Sequence, residues 1–366
     1  MVRHRGMLGG GVVLGLLVLA VVGRADEATA VKAVEKLGGQ VEVDAKLPGK
    51  PVVAVDLSHT KITDSGLKEL KQFKNLQMLN LHDTVITNTG LKELKGFRLL
   101  QRLDLGFTKV SDAGLRELKE LKSLQTLDLA STKVTETGLR ELRELKDLQT
   151  LNLAITAVAV VELKELQRLQ MLDLGSTKVT DAGLKDLKAL KNLQTLELGF
   201  TRVTDDGLKE LKELKNLQSL NLVSTKVTDA GLKELTVFKS LQSLDLDLTQ
   251  VTNTGLRELK ELKNLQSLYL NYTKVTDAGL KELKDLKSLK TLYLNDTKTL
   301  GTGLKDLKGL KSLQKLSLFN TRITDTELKA LKELKSLQEL NLGETKVTEE
   351  GVADLQRALP KLKINH

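Results

Sequence analysis

The stretch LQSLYLNYTKVTDAGLKELKDLKS, residues 265–288, decides the fold. Leu268 and Leu270 alternate with Tyr269, so both leucines point to one side of a strand and the tyrosine to the other. From Leu280 onward the apolar residues recur at every third position, as Leu280, Leu283 and Leu286, among strong helix formers. This predicts a short helix whose leucines fall back on the strand. Thr276 and Asp277 stand where that helix must start: a hydroxyl can cap the orphan amides, and a carboxylate complements the positive helix end. Gly279 is small enough to let the helix approach the sheet closely.

The unit repeats along the chain. Its second strand leucine recurs from Leu57 to Leu342 in steps of 24 residues, apart from the step of 21 between Leu153 and Leu174, which makes thirteen copies. One column is stricter than the leucines: Thr60, Thr84, Thr108 and so on to Thr345, threonine every time. A buried hydroxyl there can donate to one turn and accept from the next, forming a ladder. No copy buries its leucine face alone, but stacked neighbours do. The predicted architecture is an α/β, right-handed solenoid with a concave parallel sheet and short convex helices.

The LxxLxLxxT core followed by VTDxGLxxL resembles the leucine-rich repeats of the cysteine-containing and ribonuclease-inhibitor-like type, with threonine replacing the cysteine. The threonine-column version is similar to that of bacterial exported repeat proteins. The resemblance implies a horseshoe-shaped leucine-rich-repeat solenoid and a non-enzymatic, protein-binding role. For F-box-type relatives it would imply a substrate adaptor, although no F-box-like segment is expected ahead of the repeats.

The ends read differently. Residues 1–25 carry a basic start (Arg3, His4, Arg5), an apolar run from Met7 to Val22, and small residues at Gly23 and Ala25. This is the pattern of a signal peptide cleaved before Asp26, with a retained membrane anchor as the alternative, and it places the body outside the cytoplasm. Residues 26–51 form an N-terminal cap of helix, strand and a Pro48-Gly49 turn; the repeats fill 52–350, and residues 351–366 form a C-terminal cap of helix and strand. No cysteine is present, so disulfides are excluded and packing must supply the stability.

Two repeats depart from the pattern. In the fifth, three residues are lost, and Ala159, Val160 and Glu162 replace the usual Thr, Asp and Gly. In the eleventh, Thr299-Leu300-Gly301 replaces Val-Thr-Asp. Three residues are nearly one helical turn.

The formal charge of +9 falls to +6 without Arg3, Arg5 and Arg24. On the concave positions the only bases are Arg102 and Lys315, while acids such as Asp56, Asp104, Asp128, Asp173 and Glu197 recur. The cations therefore lie on the convex face and on a rim column running from Lys61 to Lys346. Most members of that column have an acid three residues later, which predicts local pairing and argues against nucleic acid as a partner.

Aromatics are only 2% of the chain, yet its three tyrosines crowd together. Tyr269 and Tyr293 take the same concave position on adjacent strands, about 4.8 Å apart. Tyr272 and Phe319 lie close by on the same side, with Phe107 and Phe200 elsewhere on it. Phe73, Phe97 and Phe238 take helix leucine positions and belong to the core. Exposed aromatics bordered by Asp245, Asp247 and Asp296 suit a basic or amphipathic protein or peptide. The alternative is an aromatic ladder that only stabilises its strands, in a structural cell-envelope protein without a ligand. No nucleophile motif, phosphate loop or HExxH is present, and no cofactor is expected. His59 and His82, near Asp83, are the only residues that hint at a metal site, and a third firm ligand is missing.

Overall fold

The computed structural model describes residues 25–160 and 162–366; the leader expected over residues 1–25 lies, Ala25 apart, outside them. Fifteen strands form one sheet in sequence order. The pairing is parallel and in register throughout, as in Leu268↔Leu292 and Tyr269↔Tyr293. The exception is the first pair, where Gln40–Val43 runs antiparallel to Val52–Asp56. That hairpin and the helix Ala25–Lys36 cover the first repeat, with Ala30 and Val34 buried against it. At the other end the helix Glu349–Ala358 leads to the last strand, Lys363–Asn365, which pairs with Glu339–Asn341.

Each repeat contributes only a three-residue strand, but the ladder continues past it. The amides of Leu270 and Tyr272 donate to the carbonyls of Tyr293 and Asn295, both at 2.9 Å. The leucines form one continuous core, most of them wholly buried. Phe73, Phe97 and Phe238 replace leucines within it.

The convex layer is tighter than an α-helix. A single α-turn such as Asp277–Leu280 passes into a 3₁₀ turn, Lys281–Leu283. The cause is the three-residue leucine spacing: a 3₁₀ helix repeats every three residues, so it brings Leu280 and Leu283 onto one inward face. In the shortened fifth repeat no helix forms among the described residues between Asn152 and Met171, yet strand register is kept, with Asn152 opposite Asp173. The missing turn leaves a convex depression of about 740 Å³ between Arg140, Val160 and Lys185.

Two expectations about the repeat change in the structure. The threonine column does not bridge turns. Each hydroxyl donates to the carbonyl three residues back in its own repeat, as Thr273 Oγ1 does to Leu270 at 2.6 Å. The bond closes a sharp turn whose preceding residue is left-handed in every repeat, from His59 (φ 57°) through Tyr272 (φ 57°) to Glu344 (φ 58°). The short polar side chain thereby satisfies a carbonyl where regular structure stops.

The glycine column, in turn, makes room between repeats rather than between helix and sheet. A Cβ on Gly231 would lie 2.4 Å from Asp205 Oδ1 of the repeat before. That carboxylate accepts the amide of Thr228 at 2.8 Å and its hydroxyl at 2.6 Å, while Thr228 Oγ1 caps Ala230 N. The same triad of aspartate, next-repeat threonine and next-repeat glycine recurs along the coil, as at Asp181–Thr204–Gly207 and Asp229–Thr252–Gly255. Where asparagine stands instead, as Asn253, its amide donates to Thr276 Oγ1, and Thr276 makes no cap bond. The eleventh repeat has Gly301 in the aspartate position, and Glu327 follows in the glycine position. Glu327 reaches back to Thr324 N (2.9 Å) and Oγ1 (2.7 Å), a capping box that replaces the missing carboxylate.

Candidate binding site on the concave face

In an ordinary repeat the residue between the two strand leucines is Asp or Asn, and its side chain takes the amide two residues further on. Asp104 Oδ1 accepts Gly106 N at 2.8 Å, Asn221 Oδ1 accepts Val223 N at 2.8 Å and Asp245 Oδ1 accepts Asp247 N at 2.9 Å. Much of the concave acidity is therefore turned onto the chain's own backbone. Packed side by side, these carboxyls lose solvent. Asp128 is pushed up to about 6 by burial and by neighbouring Asp104. Asp245 is pushed up to about 7 by burial, with Asp247 and Glu197 adding repulsion. Burial also raises Glu197.

Three consecutive strands break this rule, with Tyr269, Tyr293 and Ser317 in the Asx position. None of these side chains caps its own strand end, and the three amides are taken sideways instead. Asp247 accepts Asn271 N through Oδ1 and Asn271 Nδ2 through Oδ2, both at 2.7 Å. Asn271 Oδ1 accepts Asn295 N at 2.8 Å. Asn295 Oδ1 accepts Phe319 N at 3.0 Å and Ser317 Oγ at 2.5 Å. A lateral chain of amide side chains thus does on these strands what the Asx residues do elsewhere, and it frees the central position for tyrosine.

The two half-buried rings meet edge to face, their centroids 5.2 Å apart and their planes 84° from parallel. This is the favoured geometry for an aromatic pair. Beside Tyr293 the sheet opens into a shallow depression of about 350 Å³, lined by Asn295, Lys315, Ser317, Glu339 and Asn341 among others. The cation Lys315 is held 2.8 Å from Glu339.

The other predicted site residues fall in different places. Tyr272 occupies the left-handed turn at the strand end, 56% exposed, and the neighbouring Asp296 carboxylate raises its pKa. Asp296 takes the same turn position one repeat on and also accepts from Asn320 Nδ2. Phe107 and Phe200, expected on the concave face, occupy this turn position too. Phe319 is concave and half-buried, but its ring packs over Gly343 on the next strand rather than on the tyrosines: a Cβ at Gly343 would lie 3.0 Å from it. Asp247 holds Asn271, and Asp245 holds the amide of Asp247. The structure therefore brings together Tyr269 and Tyr293, places Tyr272 and Asp296 at their border, and gives Asp245 and Asp247 a supporting part. The sequence reading missed Asn271, Asn295 and Ser317. The signal was available: three successive non-Asx residues at the central position, followed two places later by Asn271 and Asn295.

His59 and His82 lie edge to face with centroids 5.5 Å apart, and His82 also tilts against Phe107. Each Nδ1 faces a carboxylate, Asp83 at 3.0 Å and Asp104 at 3.4 Å. Among the described residues no group of three or more ligands suited to a metal is assembled.

Comparison with known proteins accords with this architecture. The profile of the leucine-rich repeat region matches residues 56–303, and the chain belongs to the leucine-rich repeat family. A search of curated protein sequences finds no match. Among solved structures, an internalin of Listeria monocytogenes is 22% identical, with a TM-score of 0.69, 96% of this chain covered and 98% of that one. A leucine-rich repeat protein of Leptospira interrogans is 29% identical, with a TM-score of 0.61 and coverages of 82% and 80%. The plant peptide hormone receptor RGFR1 in complex with RGF2 is 20% identical, with a TM-score of 0.53, and 85% of this chain covers 54% of it. The first and third of these likenesses speak to the fold alone.

Proposed function

We propose that this protein is an exported, non-enzymatic scaffold that binds a protein or peptide on its concave face, centred on Tyr269 and Tyr293 with Tyr272, Phe319 and Asp296 at the margin. The observation that carries the proposal is the lateral chain Asp247–Asn271–Asn295. Placing tyrosine in the Asx position orphans a backbone amide on each strand, and three further side chains compensate. A surface that merely drifted would not need that set of matched changes. Tyrosine is also the residue type that concentrates binding energy, because it offers a large rigid face and a polar tip. The neighbouring depression gives a partner side chain somewhere to sit. Asp296 at the border favours a basic or amphipathic partner, while Asp245 and Asp247, turned onto the chain's own amides, hold the site in place. Export is supported by the leader pattern over residues 1–25; among the described residues, no helix is long and apolar enough to cross a membrane.

The test is affinity purification from the native exported fraction, followed by titration of the captured partner. Alanine at both Tyr269 and Tyr293 is expected to weaken binding by about 30-fold, equivalent to about 2 kcal/mol. Unchanged affinity in that double variant would remove the site assignment.

A further inference from the structure

A second surface runs along one edge of the solenoid and meets the proposed partner site at Tyr272. The rim cations were expected to pair with the acid three residues later. They do not, because that acid is engaged by the next repeat: Asp205 by Thr228, Asp229 by Thr252, Glu136 by the amide of Ala159 and Asp277 by those of Leu300, Gly301 and Gly303. The ion pairs of the convex face run between repeats instead, as in Lys95–Glu117 (2.8 Å) and Arg140–Glu162 (2.7 Å). Between Phe107 and Lys274 the rim cations are Lys109, Lys133, Lys178, Arg202, Lys226 and Lys274. All six are exposed, and none is in an ion pair among the described residues.

Two residues before each rim position lies the left-handed turn residue, with only the buried threonine between them, so the two columns share one edge of the solenoid. Over these eight repeats the turn column reads Phe107, Ser131, Ile155, Ser176, Phe200, Ser224, Leu248, Tyr272. Large apolar residues alternate with serine as far as Leu248, and they are 40% to 47% exposed. A left-handed backbone disfavours such side chains, above all the β-branched Ile155, and prefers glycine, asparagine or aspartate. Apart from the contact of Phe107 with His82, no ring contact is seen for them among the described residues to offset this. Where the rim column lacks a cation, at Ala157 and Gln250, the turn column carries Ile155 and Leu248. Neither column holds an acid across this stretch; Asp83 and Asp296 bound it on either side.

We propose that this edge, from Phe107 to Lys274, is a contact surface for an anionic lipid membrane. Seven strand spacings make a row about 34 Å long, with apolar side chains about 10 Å apart for most of its length and cations interleaved. Apolar groups that enter the headgroup region and cations that meet anionic lipid are the two elements of interfacial binding. A linear polyanion would use the cations and leave Phe107, Ile155, Phe200 and Leu248 without a role. A protein interface would gather its apolar residues into a core with a polar rim, rather than string them along a row. Docked by this edge, the protein keeps its concave face open to a partner.

Vesicle co-sedimentation of the purified protein tests the idea. Vesicles with about 30% phosphatidylglycerol should retain the protein, and neutral phosphatidylcholine vesicles should not. Lys109→Gln with Arg202→Gln should weaken retention by about 25-fold, at about fivefold per cation, and Phe107→Ser with Phe200→Ser by about tenfold. Serine and glutamine already occur in these columns, at Ser131 and Gln250, and unchanged thermal melting confirms that each variant folds. Equal retention on both vesicle types overturns the proposal. So does loss of retention in the glutamine variant while the serine variant binds as before and soluble heparin competes, which would mark a polyanion site.

Discussion

The strand Arg102–Asp104 and the strand Ser267–Tyr269 have the same length, the same parallel register and the same buried leucines. They differ in how the amide beyond the strand is satisfied. Asp104 takes it from within its own repeat, so that repeat is self-sufficient on its concave face. Tyr269 cannot, and Asp247 of the repeat before takes the amide of Asn271 instead. The tyrosine face is gained where local self-sufficiency is given up, and the neighbouring repeats carry the load. A solenoid permits this because each repeat contacts little beyond its neighbours.

Breaking the lateral chain should have the largest effect. Asn295→Leu removes the acceptor of both Phe319 N and Ser317 Oγ, and denaturant unfolding should show a loss of about 3 kcal/mol. Asn80→Leu, in an ordinary Asx position, strands a single amide, that of His82, and should lose only about 1 kcal/mol. Equal losses in the two variants would erase the distinction between the regions.

Acidity provides the next contrast. Asp245 and Asp128 hold their protons more tightly in the folded chain than in the unfolded one, so their stabilising contribution is fully present below the ordinary carboxylate pKa. It is lost as pH rises through about 6 for Asp128 and about 7 for Asp245. After allowance for partial exposure, stability should fall by about 2 kcal/mol from pH 5 to pH 8. Asp245→Asn, which keeps an Asx acceptor, should flatten most of that slope in thermal melts. An unchanged slope would place the titration elsewhere.

The smallest effect concerns the convex turns. Asp229→Asn reproduces what nature already has at Asn253, where the following threonine loses its cap. It should cost about 0.5–1 kcal/mol, measured by the same unfolding experiment. A loss several times larger would mean that the carboxylate does more than hold Thr252.

The leucine spacing made the coil, the sheet and the core legible, because those depend on periodicity within one repeat. The contacts between repeats were harder to read. Asp205 looks like a helix-start residue in its own repeat, and only stacking shows it clasping Thr228 of the next. The invariant threonine could equally have bridged turns; the left-handed residue before it, visible only in the backbone, sends its hydroxyl to Leu270 or the equivalent carbonyl instead. At the candidate site, Tyr269 and Tyr293 stood out because aromatics are scarce. Asn271 and Asn295 did not, since asparagine is ordinary in a turn and their role depends on the residue absent two places before. Lys109 and its column were likewise misjudged, because an acid three residues away is a partner only if nothing else claims it.

The central claim is that Tyr269 and Tyr293 serve contact with a partner rather than the stability of their own sheet. The most direct measurement compares Tyr269→Asn with Tyr293→Asn in one chain, restoring the residue found at Asn221 and Asn341, and reads melting and partner affinity on the same sample. The account predicts melting unchanged to within about 1 kcal/mol, since the lateral chain already holds both strand-end amides and only the ring contact is lost, and affinity reduced by at least about tenfold. Full affinity together with a marked loss of stability would contradict it and make the tyrosines a stabilising ladder.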